Sequence, residues 1–162
     1  MSHLTTAQLQ LIKAAIIADP ALSAKPQNSD GAFEIAVELN KPATPAFVVW
    51  KLSVTAKEMG EAMNSTEVSG LTTANTNRLM VMHAYSGDVF NPSRLDTRTG
   101  FDSVFSGTGG ALTRAALLTL YKRNATRFEK VLATGTGTDL SPANMAVESP
   151  VDYTHILDAR AS

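Results

Sequence analysis

The chain has no cysteine among its 162 residues. Disulfides, thiolate metal centres and thiol nucleophiles are therefore excluded, and the composition suits folding in a reducing compartment. Tryptophan occurs once, at Trp50, and aromatic residues make up only 6% of the chain. No apolar run reaches the roughly 20 residues that a membrane-spanning helix needs. The most apolar stretch, "LQLIKAAIIADPALSA", is broken by Lys13, Asp19 and Pro20 and lacks the basic leader of a signal sequence. A soluble chain with no membrane partner is expected. Neither sign of charge is in clear excess: the net charge is −1 and the pI is near 6.3, which argues against a dedicated nucleic-acid binder.

What is present reads mainly as α-helix. "LTTAQLQLIKAAIIAD" opens with Thr5 as N-cap and Gln8 three residues on, a capping-box pattern, and carries Leu9, Ile12, Ala15 and Ile16 at helical spacing. Asp19-Pro20 ends that helix. "NSDGAFEIAVELN" predicts a second helix capped by Asn28 or Ser29, burying Phe33, Ile35 or Ala36, Val37 and Leu39. The segment "KPATPAFVVWKLSV" reads as extended or as a short helix, and "TAKEMGEAM" as a short helix with Met59 and Met63 one turn apart. "LTTANTNRLMVMHAY" repeats the opening LTTA and predicts a helix begun by the same cap chemistry. Proline after Asn91 predicts the start of another, with Leu95, Phe101, Val104 and Phe105 toward the core. The longest helix is expected over residues 110–132. Beyond it come a turn-rich loop, "ATGTGTDLSPAN", a short strand at "MAVESPV" and a last helical turn or two at "DYTHILDAR".

The stretch "SVFSGTGGALTRAALL" is the strongest candidate for chemistry. Glycines before an apolar helix invite a phosphate, because a helix N-terminus offers free amides. A Walker loop, however, needs Gly-Lys-Ser/Thr at its end, and Gly110 is followed by Ala111, Leu112 and Thr113. A dinucleotide loop needs a preceding strand, whereas Phe101, Val104 and Phe105 fall at helical spacing. The favoured reading is a bend between two helices, with a left-handed glycine at the helix end. The second cluster, "GTGT" at 135–138, follows a helix and precedes a loop, so it is weaker still.

Other constellations carry less. His3, His83 and His155 are far apart, and none stands in a metal-ligand pair. His83 reads as packed or surface-lying, and Trp50 as a buried anchor with an interface anchor as the alternative. No serine sits in Gly-x-Ser-x-Gly. The pairs Glu34/Glu38 and Glu58/Glu61 read as ordinary exposed helix faces. No cofactor, metal or catalytic residue is expected.

Charge is unevenly laid out along the chain. Residues 94–130 hold seven basic side chains against three acidic ones, while the flanking stretches are net acidic. Arg123, Arg127 and Lys130 recur at i, i+4 and i+7 and are expected to share one face of the longest helix. That stripe is either a plain solvated face or a contact for an acidic neighbour or for passing DNA phosphates.

The phrases "LTTAQLQLIKAAIIADPAL", "NSDGAFEIA", "PAFVVWKLSV", "LTTANTNRL", "FDSVFSGTGGALTRAALLTLYKR" and "EKVLATGTGT" together resemble a group of small proteins of tailed bacteriophages and prophages, encoded among virion-structure genes. The resemblance implies a non-enzymatic virion structural protein, similar in outline to head-to-tail adaptor (connector) proteins that ring the portal. A tail or capsid-decorating component is the variant, and a small phage enzyme or regulator the alternative. It implies assembly in the host cytoplasm into the virion, with partners among the portal, tail or nozzle proteins and copies of the same chain, and incidental contact with packaged DNA. The fold expected is mainly α. It comprises a compact helical domain over residues 1–133 and an extended loop-and-strand tail over 134–162 that docks on neighbours by strand addition. Arg123, Arg127, Lys130, Met145, Val147, Val151 and Tyr153 are the expected interface residues.

Overall fold

Short helices held by side-chain caps dominate the chain, and a computed structural model describes them for residues 4–162. Helix α1 (Thr6–Ala18) begins with the expected box, Thr5 Oγ1 accepting from Gln8 N–H and Gln8 Oε1 from Thr5 N–H. Asp19 ends it and caps the next helix, α2 (Pro20–Ser23), by accepting from the Ala21 amide at 2.9 Å. Asn28 caps α3 (Ser29–Leu39) through the Gly31 amide. There follow strands β1 (Val48–Trp50) and β2 (Val54–Thr55), helices α4 (Ala56–Ala62), α5 (Ser65–Ser69) and α6 (Thr73–Ser86), and strand β3 (Val89–Phe90). The remainder comprises α7 (Leu95–Val104), α8 (Ala111–Leu120), β4 (Lys122–Asn124), α9 (Arg127–Leu132), β5 (Ala143–Asn144) and α10 (Tyr153–Ala161). The protein is mainly α, as its sequence implies.

The chain divides into two units, residues up to Val49 with Asn124–Ser162, and Trp50–Arg123. In the first, α1, α3, α9 and α10 enclose Ile12, Ile16, Ile35, Leu39, Phe128, Leu132 and Ile156. Asn40 clamps the approach to α10: its Nδ2 donates to Val151 O at 2.8 Å and its Oδ1 accepts from Val151 N–H at 2.9 Å. Asp152 then caps α10 through the His155 amide. In the second unit, β2 and β3 pair antiparallel, Val54 opposite Phe90, over a core of Met59, Phe101, Val104, Phe105, Leu117 and Tyr121. Strands β4, β1 and β5 form a separate sheet in that order.

Several expectations change. Residues 110–132 are two helices with a strand between them, because Thr126 and Glu129 form a reciprocal capping box that starts α9 afresh. Helix α3 turns Ala32, Ile35, Ala36 and Leu39 inward and leaves Phe33 and Val37 exposed. Helix α7 starts at Leu95, which is exposed, because Asn91 Oδ1 closes a turn on the Ser93 amide and hydroxyl first. "MAVESPV" is not a strand; the strand there is Ala143–Asn144, bridged at Asn144 to Thr134. Nor are residues 134–162 an extended tail. They end in α10, whose Ile156 and Ala159 are fully buried in the first unit's core, so the division falls near 49/50 and 123/124 instead of at 133/134.

If α10 belongs to that core, Ile156→Ala should cost about 2–5 kcal/mol, the usual range for emptying a buried aliphatic site. Denaturant unfolding measures it; an unchanged midpoint would mean that α10 is an appendage after all.

Candidate functional site

The glycine stretch resolves into a junction. Helix α7 stops at Val104, Gly107 takes φ of +75°, and Thr108–Gly110 form one 3-10 turn before α8. At Gly110 a Cβ would lie 2.1 Å from the Phe105 carbonyl oxygen, so backbone passes where a side chain would be. Arg114 ties the turn from α8, donating to the carbonyls of Phe105 and Gly107.

The α8 amides that could meet a phosphate are already engaged. Leu112 N–H donates to Glu67 Oε1 at 3.0 Å and Thr113 N–H to Glu67 Oε2 at 2.7 Å. Thr113 is fully buried, and its hydroxyl accepts from the Asn64 amide at 3.1 Å while also bonding the Glu67 carboxylate. Asn64 in turn caps α5 by accepting from the Glu67 amide at 3.1 Å. In an ordinary capping box the residue at N3 reaches back to its own N-cap amide. Here Glu67, the N3 residue of α5, reaches the start of α8 instead, and Thr113 of α8 satisfies the Asn64 amide in its place. The chain supplies its own anion to this helix end.

Burial pushes the Glu67 carboxyl up, but the Thr113 amide and hydroxyl, the Leu112 amide and the charge of Arg114 outweigh it and hold it below the usual carboxylate range. A depressed folded value means that the stabilisation is complete above the ordinary glutamate value near 4.5 and is lost as pH falls through the folded value.

The expected basic stripe does not assemble on one helix. Arg123 lies in β4, within the second unit, whereas Arg127 and Lys130 lie on α9, within the first. Arg127 donates from Nη2 to Asp19 Oδ2 at 2.6 Å, and its Nη1 stands 4.0 Å from Glu38. That guanidinium holds the Asp19 carboxyl below its ordinary range. Lys130 Nζ sits 5.5 Å from the centre of the Phe47 ring. Between α9, α1 and the end of α3 lies a cavity of about 330 Å³, floored by Leu22, Leu39 and Val131 and edged by Arg127 and Lys130.

The four C-terminal residues expected to face a partner do not form one edge. Met145 and Val151 are buried, Val147 packs against the first unit's core, and Tyr153 is half-exposed on the first turn of α10. His83 meets Phe90 edge-on at 4.9 Å between ring centres, and Arg98 lies 4.1 Å over the Trp50 ring. Both are packed residues. His3 lies outside the described residues. Among the described residues no group of three His, Asp or Glu side chains is placed to hold a metal ion, and no helix is long and apolar enough to cross a membrane.

No family model, curated protein or solved structure matches the chain.

Because Glu67 occupies the α8 amides, ATP, GTP or a dinucleotide should leave the melting temperature unchanged; a rise of several degrees would show that the junction binds phosphate. Glu67→Gln should lower Tm at neutral pH, and its gap to the parent should close as pH falls below 4.5 and toward the folded value. A gap constant from neutral to acid pH would assign the loss to packing alone. Thr113→Val should cost about 1–3 kcal/mol by stranding its partners.

Proposed function

We propose that the chain is a structural subunit of a tailed-bacteriophage virion, of the head-to-tail adaptor kind, acting by assembly and not by catalysis. The reading draws on the resemblance of its sequence phrases to small phage virion-region proteins. The structural observation that supports it best is the cavity beside α9. An apolar floor with a guanidinium and an ammonium at the edge suits an apolar side chain flanked by carboxylates, the chemistry of an acidic segment on a neighbouring subunit.

The two cations have different parts in this reading. Arg127 is committed to Asp19 within the chain, so it shapes the wall and contributes to stability. Lys130 lies on an aromatic ring and forms no ion pair with a carboxylate among the described residues, so it is the group that a partner's carboxylate would meet. Portal, tail or nozzle proteins and further copies of the chain are the partners proposed, in particles assembled in the host cytoplasm. DNA contact would be incidental.

Lys130→Gln should cost no more than about 1 kcal/mol of folding stability, the size of a cation–π contact near the surface. It should nevertheless reduce the yield of joined particles when it replaces the parent chain in an infection, with a larger loss at higher salt because screening already weakens the contact. Unchanged particle yield and titre at every salt concentration would remove the cavity from the interface. Arg127→Gln, by contrast, should lower Tm of the isolated protein.

A further inference from the structure

The most exposed large apolar side chain among the described residues is Leu140, at 97%. It stands at the tip of a turn that the chain braces from several sides. Thr138 N–H donates to Ser141 O at 3.2 Å, and Ser141 N–H to Thr138 Oγ1 at 3.0 Å. The Thr136 hydroxyl donates to the same Ser141 carbonyl at 2.9 Å. Below the tip, Thr134 and Asn144 exchange two backbone bonds at 2.9 Å, and Val48 N–H of β1 donates to Gly137 O at 2.7 Å. The Phe47 ring packs on Gly137 at the base of the turn. A lone surface leucine is ordinary. This one is held out on a bonded turn with a carboxylate beside it, the exposed Asp139.

The same unit carries a surface of matching shape and opposite charge. The cavity beside α9 has an apolar floor of Leu22, Leu39 and Val131, with Lys130 at its edge. Its volume of about 330 Å³ exceeds the roughly 150 Å³ of an emptied leucine site, which already holds a benzene ring. A leucine fits the floor, and a carboxylate next to that leucine in sequence meets the ammonium. Turn and cavity both belong to the first unit, yet Leu140 is solvent-exposed, so the chain does not fill its own cavity. Two copies can make the contact that one does not. The wider charge agrees: residues 131–162 hold four carboxylates against one arginine. Phe33 and Leu95 also stand beside acids, but on helices and only 60% and 65% exposed.

We propose that the turn of residues 138–141 in one copy docks in the cavity beside α9 of a second copy, with Leu140 on the apolar floor and Asp139 at Lys130. The proposal rests on the reading of that cavity as an interface and names its occupant. Turn and cavity are both formed before they meet, which keeps the ordering cost of docking low. They are different patches, so the contact repeats from copy to copy, and a ring is its closed form.

The chain has no cysteine, so two introduced thiols report a single contact. A Ser141→Cys chain is mixed with a Thr44→Cys chain, Thr44 being an exposed residue of the cavity wall, and oxidised with glutathione disulfide. The mixed disulfide should form in excess of either homodimer. Adding Leu140→Lys to the Ser141→Cys chain should lower its yield about tenfold with Tm unchanged, because Leu140 projects into solvent and a lysine there opposes Lys130. Sedimentation velocity of the cysteine-free chain, from low to high micromolar concentration, should show association that Leu140→Lys weakens to the same degree. A parent that stays monomeric without the mixed disulfide, or association indifferent to Leu140→Lys, would overturn the contact. A Ser141→Cys homodimer in excess would show tip meeting tip and overturn the choice of occupant. If the contact fails while Lys130→Gln still lowers particle yield, the cavity takes a segment of another protein and only this proposal falls. If Lys130→Gln is also without effect, the reading of the cavity falls with it.

Discussion

The carboxylate of Glu67 lying across the first turn of α8 organises the second unit. Two backbone amides and one hydroxyl of α8 converge on it, and the Asn64–Thr113 bond holds the start of α5 to the same place. A helix N-terminus carries free donors and partial positive charge, so a carboxylate there satisfies both at once. With α5 fixed to α8 by polar bonds, Met59 of α4 and Leu117 of α8 meet in a common core with Phe101 and Phe105. The glycines of the junction serve the same end, since Gly110 allows the Phe105 backbone to pass close by.

This arrangement also separates two meanings of a glycine-rich helix start. In a phosphate site the amides wait for a ligand. Here an internal side chain meets them, at bond lengths normal for charged hydrogen bonds. The first unit uses short polar devices in a similar way: Asp19 caps α2 and pairs with Arg127 of α9, and Asn40 clamps Val151 before α10. Small helices with few residues each are too short to persist alone, and such links fix their placement around two cores.

Local signals were readable in the sequence, and non-local ones were not. The caps at Thr5, Asn28, Thr55 and Thr72 lie within three residues of the amides they serve, so their patterns stand in plain text. The box Thr126-Arg-Phe-Glu129 was equally local, and it marks the restart that divides residues 110–132. Helix α3 offered two apolar sets; Ala32, Ile35, Ala36 and Leu39 keep the i, i+3, i+4, i+7 spacing, and that set is the one buried. Glu67 with Thr113, 46 residues apart, and Asn40 with Val151, 111 apart, left no such trace, because neither spacing carries a periodicity. The basic stripe failed for a related reason: its spacing has meaning only along one unbroken helix, and β4 interrupts it.

An assembly role fits a chain whose most distinctive polar groups are engaged in holding its own helices while the apolar Leu140 faces outward and a cation-edged cavity stays open beside α9. In the proposed role this chain is built into particles. Quantitative mass spectrometry of purified virions from a phage or induced prophage that carries the gene tests it directly. A fixed copy number per particle that is a whole multiple of the portal ring is expected. Particles that contain none of the chain, from cells in which it is abundant, would contradict it.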